Sequence, residues 1–283
     1  MRIFLFLCLS GLVSSCVLRK KDILYQPASS GQPEQRLDVY APKKMNKPKP
    51  VLIFIHGGNW NSGKKSTYRF LGNSFARKGI VTLIIDYPLS PQATYQQMAE
   101  ASARAVQWAV QNATTYGGDP KRVFVSGHSA GGHLAALIAL DSAYFSTLSL
   151  SNPLAGVILI DAAGLDMYSY LMEKKYQRGH TYLATFGTDP ATWKKASPRY
   201  HLNPDQPPFL IYRGEKTYES IEVSTEAFME DFRKQVPSPD YFICKGKKHI
   251  PMITQFIFPW NPLYHQMIDF MDNPSAFSSI DSH

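Results

Sequence analysis

The residues best suited to chemistry lie in one short run, Gly127-His128-Ser129-Ala130-Gly131-Gly132. A serine with glycine two residues away on either side is the pattern of a nucleophile held on a sharp strand-to-helix turn. The reason is steric. The turn lifts the Ser129 hydroxyl clear of the chain, and side chains at 127 and 131 would strike the neighbouring strand and helix. An apolar stretch at 122–126 precedes the turn and another at 134–140 follows it, so strand, turn and helix come in the order required. The start of that helix adds a positive dipole end beside negative charge developing on a substrate oxygen.

A second run, His56-Gly57-Gly58-Asn59-Trp60, follows the strongest apolar segment, 51–55. Glycine lets backbone N–H groups approach a substrate oxygen closely. Gly58, Asn59 and Ala130 are therefore the expected oxyanion donors, each worth roughly 3 kcal/mol to a transition state. His56 is read as holding its loop by hydrogen bonds.

The base must be another histidine, because the chain order on such a scaffold is serine, acid, histidine. His133, His180, His201, His249, His265 and His283 follow Ser129. His133 falls on the helix behind the turn. His249, in Lys245-Gly246-Lys247-Lys248-His249-Ile250-Pro251, follows the last apolar strand and is taken as the base; the flanking Lys247 and Lys248 disfavour its charged form. The acid is expected after the strand at 209–212, on the loop from Gly214 to Glu222. Glu219 is the first choice, with Glu215 and Asp161 left open as alternatives. No His/Asp cluster has metal-ligand spacing, so neither metal nor cofactor is expected.

The elements that must position these groups are legible as an early strand at 36–40 and apolar runs at 51–55, 80–85, 123–125, 157–160, 209–212 and 241–243. Most lack polar alternation, which suits strands buried on both faces of a parallel sheet. Met98, Ala101, Ala105, Trp108 and Ala109 recur at helical spacing and predict an amphipathic helix over 97–112. Strands alternating with helices predict a doubly wound, mostly parallel α/β sheet. The aromatic-rich connection at 166–206 is expected to form a small helical cap over the strand ends.

The chain has 283 residues, 44% hydrophobic and 18% charged, enough for one large α/β domain with a sizeable core. The domain is assigned to 36–272, with a C-terminal tail at 273–283. The 30 Lys+Arg against 22 Asp+Glu leave a formal charge of +8. The basic residues lie in loops without interleaved aromatics, which argues against nucleic-acid binding. Lys43, Lys44, Lys47 and Lys49 lie in one such loop, read first as solvated and second as a patch facing acidic lipid head groups.

At the start of the chain, Arg2 precedes an apolar run over 3–13, too short to span a bilayer. Val13-Ser14-Ser15-Cys16 then resembles a bacterial lipobox. Residues 1–15 are thus expected to be a lipoprotein signal peptide, Cys16 the acylated residue and 16–35 a tether. Val17 in place of aspartate after that cysteine implies an outer-membrane anchor in the cell envelope.

Taken together, Leu37-Asp38-Val39-Tyr40-Ala41-Pro42, His56-Gly57-Gly58, Asp86-Tyr87, Tyr116-Gly117-Gly118-Asp119-Pro120 and the Ser129 run resemble the α/β-hydrolase superfamily in content and order. Within it, they are similar to hormone-sensitive-lipase-like and arylformamidase-like esterases, and 72–132 also to prenylcysteine methylesterases. The resemblance implies an α/β-hydrolase fold, a Ser-His-acid triad and an acyl-enzyme intermediate. It implies a small-molecule ester substrate, with a formamide of an aryl amine as the alternative and a non-catalytic binding protein as the rival. Three departures stand out. Pro88 follows Asp86-Tyr87 where arginine is usual, Asn59-Trp60 replaces a further glycine, and Thr217 occupies the usual position of the acid.

Overall fold

The computed structural model describes residues 16–29, 32–236 and 238–274. One sheet of eight strands has the order β1-β2-β4-β3-β5-β6-β7-β8. The strands are β1 (Val17–Gln26), β2 (Gln35–Pro42), β3 (Lys49–Ile55), β4 (Val81–Ile85), β5 (Gly118–His128), β6 (Leu154–Ile160), β7 (Phe209–Gly214) and β8 (Asp240–Cys244). β2 pairs antiparallel with both β1 and β4, and every other pairing is parallel. The doubly wound, mostly parallel sheet is as expected.

The helices are α1 (Arg69–Arg77), α2 (Tyr95–Asn112), α3 (Ala130–Leu140), α4 (Ala143–Ser146), α5 (Met167–Lys174), α6 (Thr181–Phe186), α7 (Pro190–Lys195), α8 (Glu219–Phe232), α9 (His249–Thr254) and α10 (Leu263–Asp272). β3 shows why the central strands read as unbroken apolar runs. Val51, Ile53 and Ile55 enter a core with residues of α2 and α3, while Leu52 and Phe54 enter a second core with residues of α1 and α10. Successive side chains point to opposite faces, and both faces are covered. α2 starts two residues before the periodic pattern, because Thr94 and Gln97 form a reciprocal capping box.

Two features place a site. The chain runs from β3 to β4 on one side and then to β5 on the other, so the strand order reverses between β3 and β5. At such a reversal the loops leaving the strands diverge and open a crevice at their carboxyl ends. The His56 loop and the Ser129 turn leave these two strands. The connection at 166–206 does form short helices, α5 to α7, as expected of a cap.

The expected tether at 16–35 is corrected: residues 17–26 form the edge strand β1. It bulges between Lys20 and Ile23, where Asp22 has φ 56°. Lys65 fixes the bulge, its Nζ 2.5 Å from Asp22 Oδ1 and 2.7 Å from buried Asp38 Oδ1. The pattern was missed because β1 is an edge strand facing solvent with Arg19, Lys20 and Lys21, charges that such edges commonly carry. The leader at 1–15 and nearly all of the tail lie outside the described residues.

Candidate active site

Ser129 stands at the tip of the turn between β5 and α3, with φ 56° and ψ −123°. Positive φ strains a residue bearing a side chain, and the surroundings hold it there. The Ser129 N–H donates to the Ile160 carbonyl on β6, and its own carbonyl accepts from His133 and Ala163. The glycine requirement is equally physical. A Cβ on Gly131 would lie 2.1 Å from the Ile55 carbonyl oxygen, and one on Gly127 would lie 2.2 Å from Gly131.

His249, the first residue of α9, is brought to Ser129 through the fold. Its Nε2 lies 3.0 Å from Ser129 Oγ and its Nδ1 2.6 Å from Asp161 Oδ2. Asp161 follows β6, the strand beside β5, and is 1% exposed. Its second oxygen accepts from the Gly214 N–H at 2.8 Å. Thr217 donates its hydroxyl to the oxygen that faces His249, at 2.5 Å. Asp161 itself has φ 48°, so this carboxylate too is held by a constrained backbone.

The carboxylate that meets His249 is therefore not Glu219. Glu219 is the first residue of α8 and borders a separate small cleft with Glu173 and Lys174. The ring of Tyr218, the residue before it, packs 4.9 Å from the imidazole of His249. Glu215 turns toward the next loop, where its Oε2 accepts from the Gly246 N–H at 2.6 Å. Asp161, Thr217 and Gly214 converge because β6 and β7 are adjacent and parallel, so the loops leaving them start side by side.

Gly58 and Asn59 line a cavity of about 600 Å³ together with Ser129, His249, Tyr182 and Tyr218. Gly58 has φ 134° and Asn59 φ 52°, so this loop turns its backbone sharply at the cavity wall. The Gly58 carbonyl closes the turn by accepting from Asn61 and Ser62. Ala130 opens α3 directly behind the nucleophile. The Asn59 side chain accepts from the Tyr182 hydroxyl on α6 at 2.9 Å, which ties the cap to the loop. Tyr182 and Tyr218 were not singled out from the sequence; the signal available was only the aromatic richness of 168–200 for the first and none for the second.

Three histidines serve architecture. His133 is buried on α3; its Nδ1 accepts from Trp60 Nε1–H at 3.2 Å and its Nε2–H donates to the Ala196 carbonyl at 2.7 Å. That arrangement fits only the neutral ring, and burial pushes its pKa down to about 4. His128 stacks on His249 at 4.6 Å, and burial followed by the nearness of His249 pushes it down to about 3. His56 donates from Nδ1 to the Gly57 carbonyl, and burial again lowers its pKa. His180 stacks on Tyr176, His201 bonds to the Lys195 carbonyl, and His265 is exposed on α10. His283 lies outside the described residues. No group of three or more metal-ligating side chains occurs among the described residues.

A serine on a nucleophile turn, an imidazole bridging it to a buried carboxylate and a glycine loop at the strand reversal define the molecule as an α/β-hydrolase-fold protein. The BD-FAE family matches residues 37–225, and the chain belongs to that family. Isoprenylcysteine alpha-carbonyl methylesterase of Arabidopsis thaliana is 26% identical over 79% of the chain and 56% of its own length. Esterase LipC of Mycobacterium tuberculosis is 29% identical over 76% of the chain and 55% of its own length. The chain spans about half the length of the curated relatives it matches. Among solved structures, esterase B from Lactobacillus rhamnosis, inhibited with a tributyrin phosphonate, superposes with TM-score 0.74 at 22% identity, covering 93% of this chain and 86% of that one.

Proposed function

We propose that this chain is a serine hydrolase of carboxylic esters. The observation that carries the reading is the hydrogen-bonded row Ser129–His249–Asp161 at the wall of an open cavity. Ser129 Oγ attacks the ester carbonyl while His249 Nε2 takes its proton. Asp161 holds the ring with Nδ1–H toward itself and stabilises the imidazolium that forms. The N–H groups of Gly58, Asn59 and Ala130 receive the oxyanion. His249 then protonates the leaving alcohol, and water repeats the sequence on the acyl-enzyme. The esterase names of the two curated relatives support this choice of substrate class. We also propose that Cys16, exposed at the start of β1, carries the lipid that anchors the protein to the cell envelope, on the outer membrane by the Val17 rule.

Labelling with a fluorophosphonate tests the chemistry. The wild type is expected to label and to turn over short nitrophenyl esters, and Ser129→Ala to do neither. Absence of labelling in a folded wild type sinks the reading and leaves a binding protein; turnover of N-formylkynurenine far above that of nitrophenyl esters replaces the ester with the formamide. Incorporation of labelled palmitate that persists in Cys16→Ala rules out the anchor.

A further inference from the structure

Four exposed apolar side chains lie on the segment that runs on from His249 and the cavity wall. Ile250, Ile257, Phe258 and Trp260 are each more than half exposed, and Trp260 is 76% exposed. The rings of Phe258 and Trp260 pack on each other at 5.4 Å, forming one projecting aromatic lip. Ile250, on α9 of the same segment, lines the cavity wall, where Phe70 of α1 joins it. The turn Gln255–Ile257 that leads into the lip packs on α1.

Cations continue the same face. α1 buries Leu71, Gly72, Ser74, Phe75 and Ala76 and leaves Arg69 and Arg77 exposed at its two ends. Lys78 lies with Nζ 5.5 Å over the ring of Tyr264 on α10, the tyrosine that packs against Phe75. Arg77 then meets Lys43, Lys44, Lys49 and Cys16 around a groove of about 470 Å³. A path therefore runs along α1 from the turn that leads to exposed Trp260 to a basic groove at the first residue of the described chain. Of the two acidic residues near the end of α10, Asp272 is occupied by Arg122 at 2.7 Å.

We propose that the face formed by α1, the segment 250–260 and the 43–49 loop docks on an anionic lipid surface. Exposed Trp and Phe favour the boundary between head groups and acyl chains, where an apolar body and a polar edge are both satisfied. Lysine and arginine beside them find the phosphates. Neither half alone specifies a bilayer: an apolar lip fits any apolar partner, and a basic groove fits any polyanion. Their continuity on one face, with charge complementary to acidic head groups, selects the lipid surface. Docked so, the cavity opens toward the membrane through Ile250 and Phe70, and an ester reaches Ser129 from the lipid side. The docking face rests on these side chains and not on acylation of Cys16.

Bromine on lipid acyl chains quenches tryptophan only at contact depth, so it reads Trp260 directly. The full chain carrying Cys16→Ala, which removes any acyl anchor, is mixed with brominated vesicles of phosphatidylcholine alone or with phosphatidylglycerol. Quenching is expected with phosphatidylglycerol, with most of it lost in Trp260→Phe. Arg69→Glu together with Arg77→Glu is expected to weaken binding by on the order of five-fold per cation replaced. Equal quenching in wild type and Trp260→Phe overturns the proposal, as does quenching indifferent to phosphatidylglycerol and to the arginines. So does a change in Trp260 emission that depends on protein concentration without vesicles, which assigns the lip to a second copy. Hydrolysis of a soluble nitrophenyl ester on the same samples is expected to be unchanged, and its absence in the wild type sinks the esterase reading separately.

Discussion

Thr217 stands where the resemblance placed the acid, and its hydroxyl donates to Asp161, a carboxylate supplied from the end of the neighbouring strand. Asp161→Asn is expected to lower kcat by about 10⁴, since an amide admits the wrong imidazole tautomer. Glu219→Gln is expected to leave kcat within about twofold, because its carboxylate lies in another cleft; the two values from nitrophenyl-ester kinetics decide between the residues. Thr217 acts through Asp161. A hydrogen bond to a charged group contributes about 1.5–3 kcal/mol, so Thr217→Val is expected to cut kcat by about tenfold or more, with KM little changed. Thr217→Ser, which keeps the hydroxyl, is expected to restore most of it. Equal loss in both variants would mean that packing, not the bond to Asp161, is what Thr217 supplies. At this scale Ser129, His249 and the glycine loop were readable, because each sits next to a strand end that the sequence marks. The acid was not, since three carboxylates end or follow two adjacent strands and linear spacing does not say which one faces inward.

At the scale of elements, the turn that carries Ser129 is among the tightest points of the described residues. Gly131→Ala puts a methyl 2.1 Å from the backbone of β3, which cannot retreat because β4 and β5 hold it on both sides. The expected cost is about 3 kcal/mol or more, with loss of soluble protein. Gly179→Ala is the contrast. Unlike Gly131, which is helical, it has positive φ, 94°, but nothing lies within 4 Å of the added methyl, so the expected cost is on the order of 1 kcal/mol from backbone strain alone. Urea denaturation of the pair separates crowding from strain; equal costs would show that the contact at Gly131 relaxes. The central strands and α2 were legible because burial on two faces, or on one face of a helix, writes its period into the sequence. β1 was not, because at the edge it carries four consecutive charges, Arg19 to Asp22, with little burial. The cap was legible as a segment and not as a geometry: its tyrosines stack on one another, and only contacts across the fold bring Tyr182 to Asn59.

For the whole molecule, the buried neutral histidines couple stability to pH. Folding lowers His133 to about 4 and His128 to about 3, whereas an unfolded imidazole titrates near 6.5. Below that pH the unfolded chain binds protons that the folded chain refuses, so stability falls as pH falls. The loss starts near pH 6.5 and continues to about 4, at up to about 1.4 kcal/mol per pH unit for each ring. Urea midpoints at pH 8, 6 and 4.5 are expected to decline in that order, with a shallower decline in His133→Asn even though that variant is less stable throughout. An unchanged slope would show that His133 is not held neutral. The same ring joins Trp60 of the glycine loop to Ala196 of the cap through α3, so this titration also reports on the frame around the cavity.

The sequence by itself determined the layered α/β plan, the strained serine turn, the glycine loop and the histidine after the last strand. Each of these sits beside an apolar run whose period is set by burial and which marks a strand or helix end along the chain. The tertiary structure decided what depends on neighbours in the sheet. It chose Asp161 over Glu219, gave Thr217 its partner, turned 17–26 into a strand and laid the Phe258–Trp260 lip along α1. Those outcomes follow from strand order and from which loops emerge side by side, and neither is written in the spacing of residues along the chain.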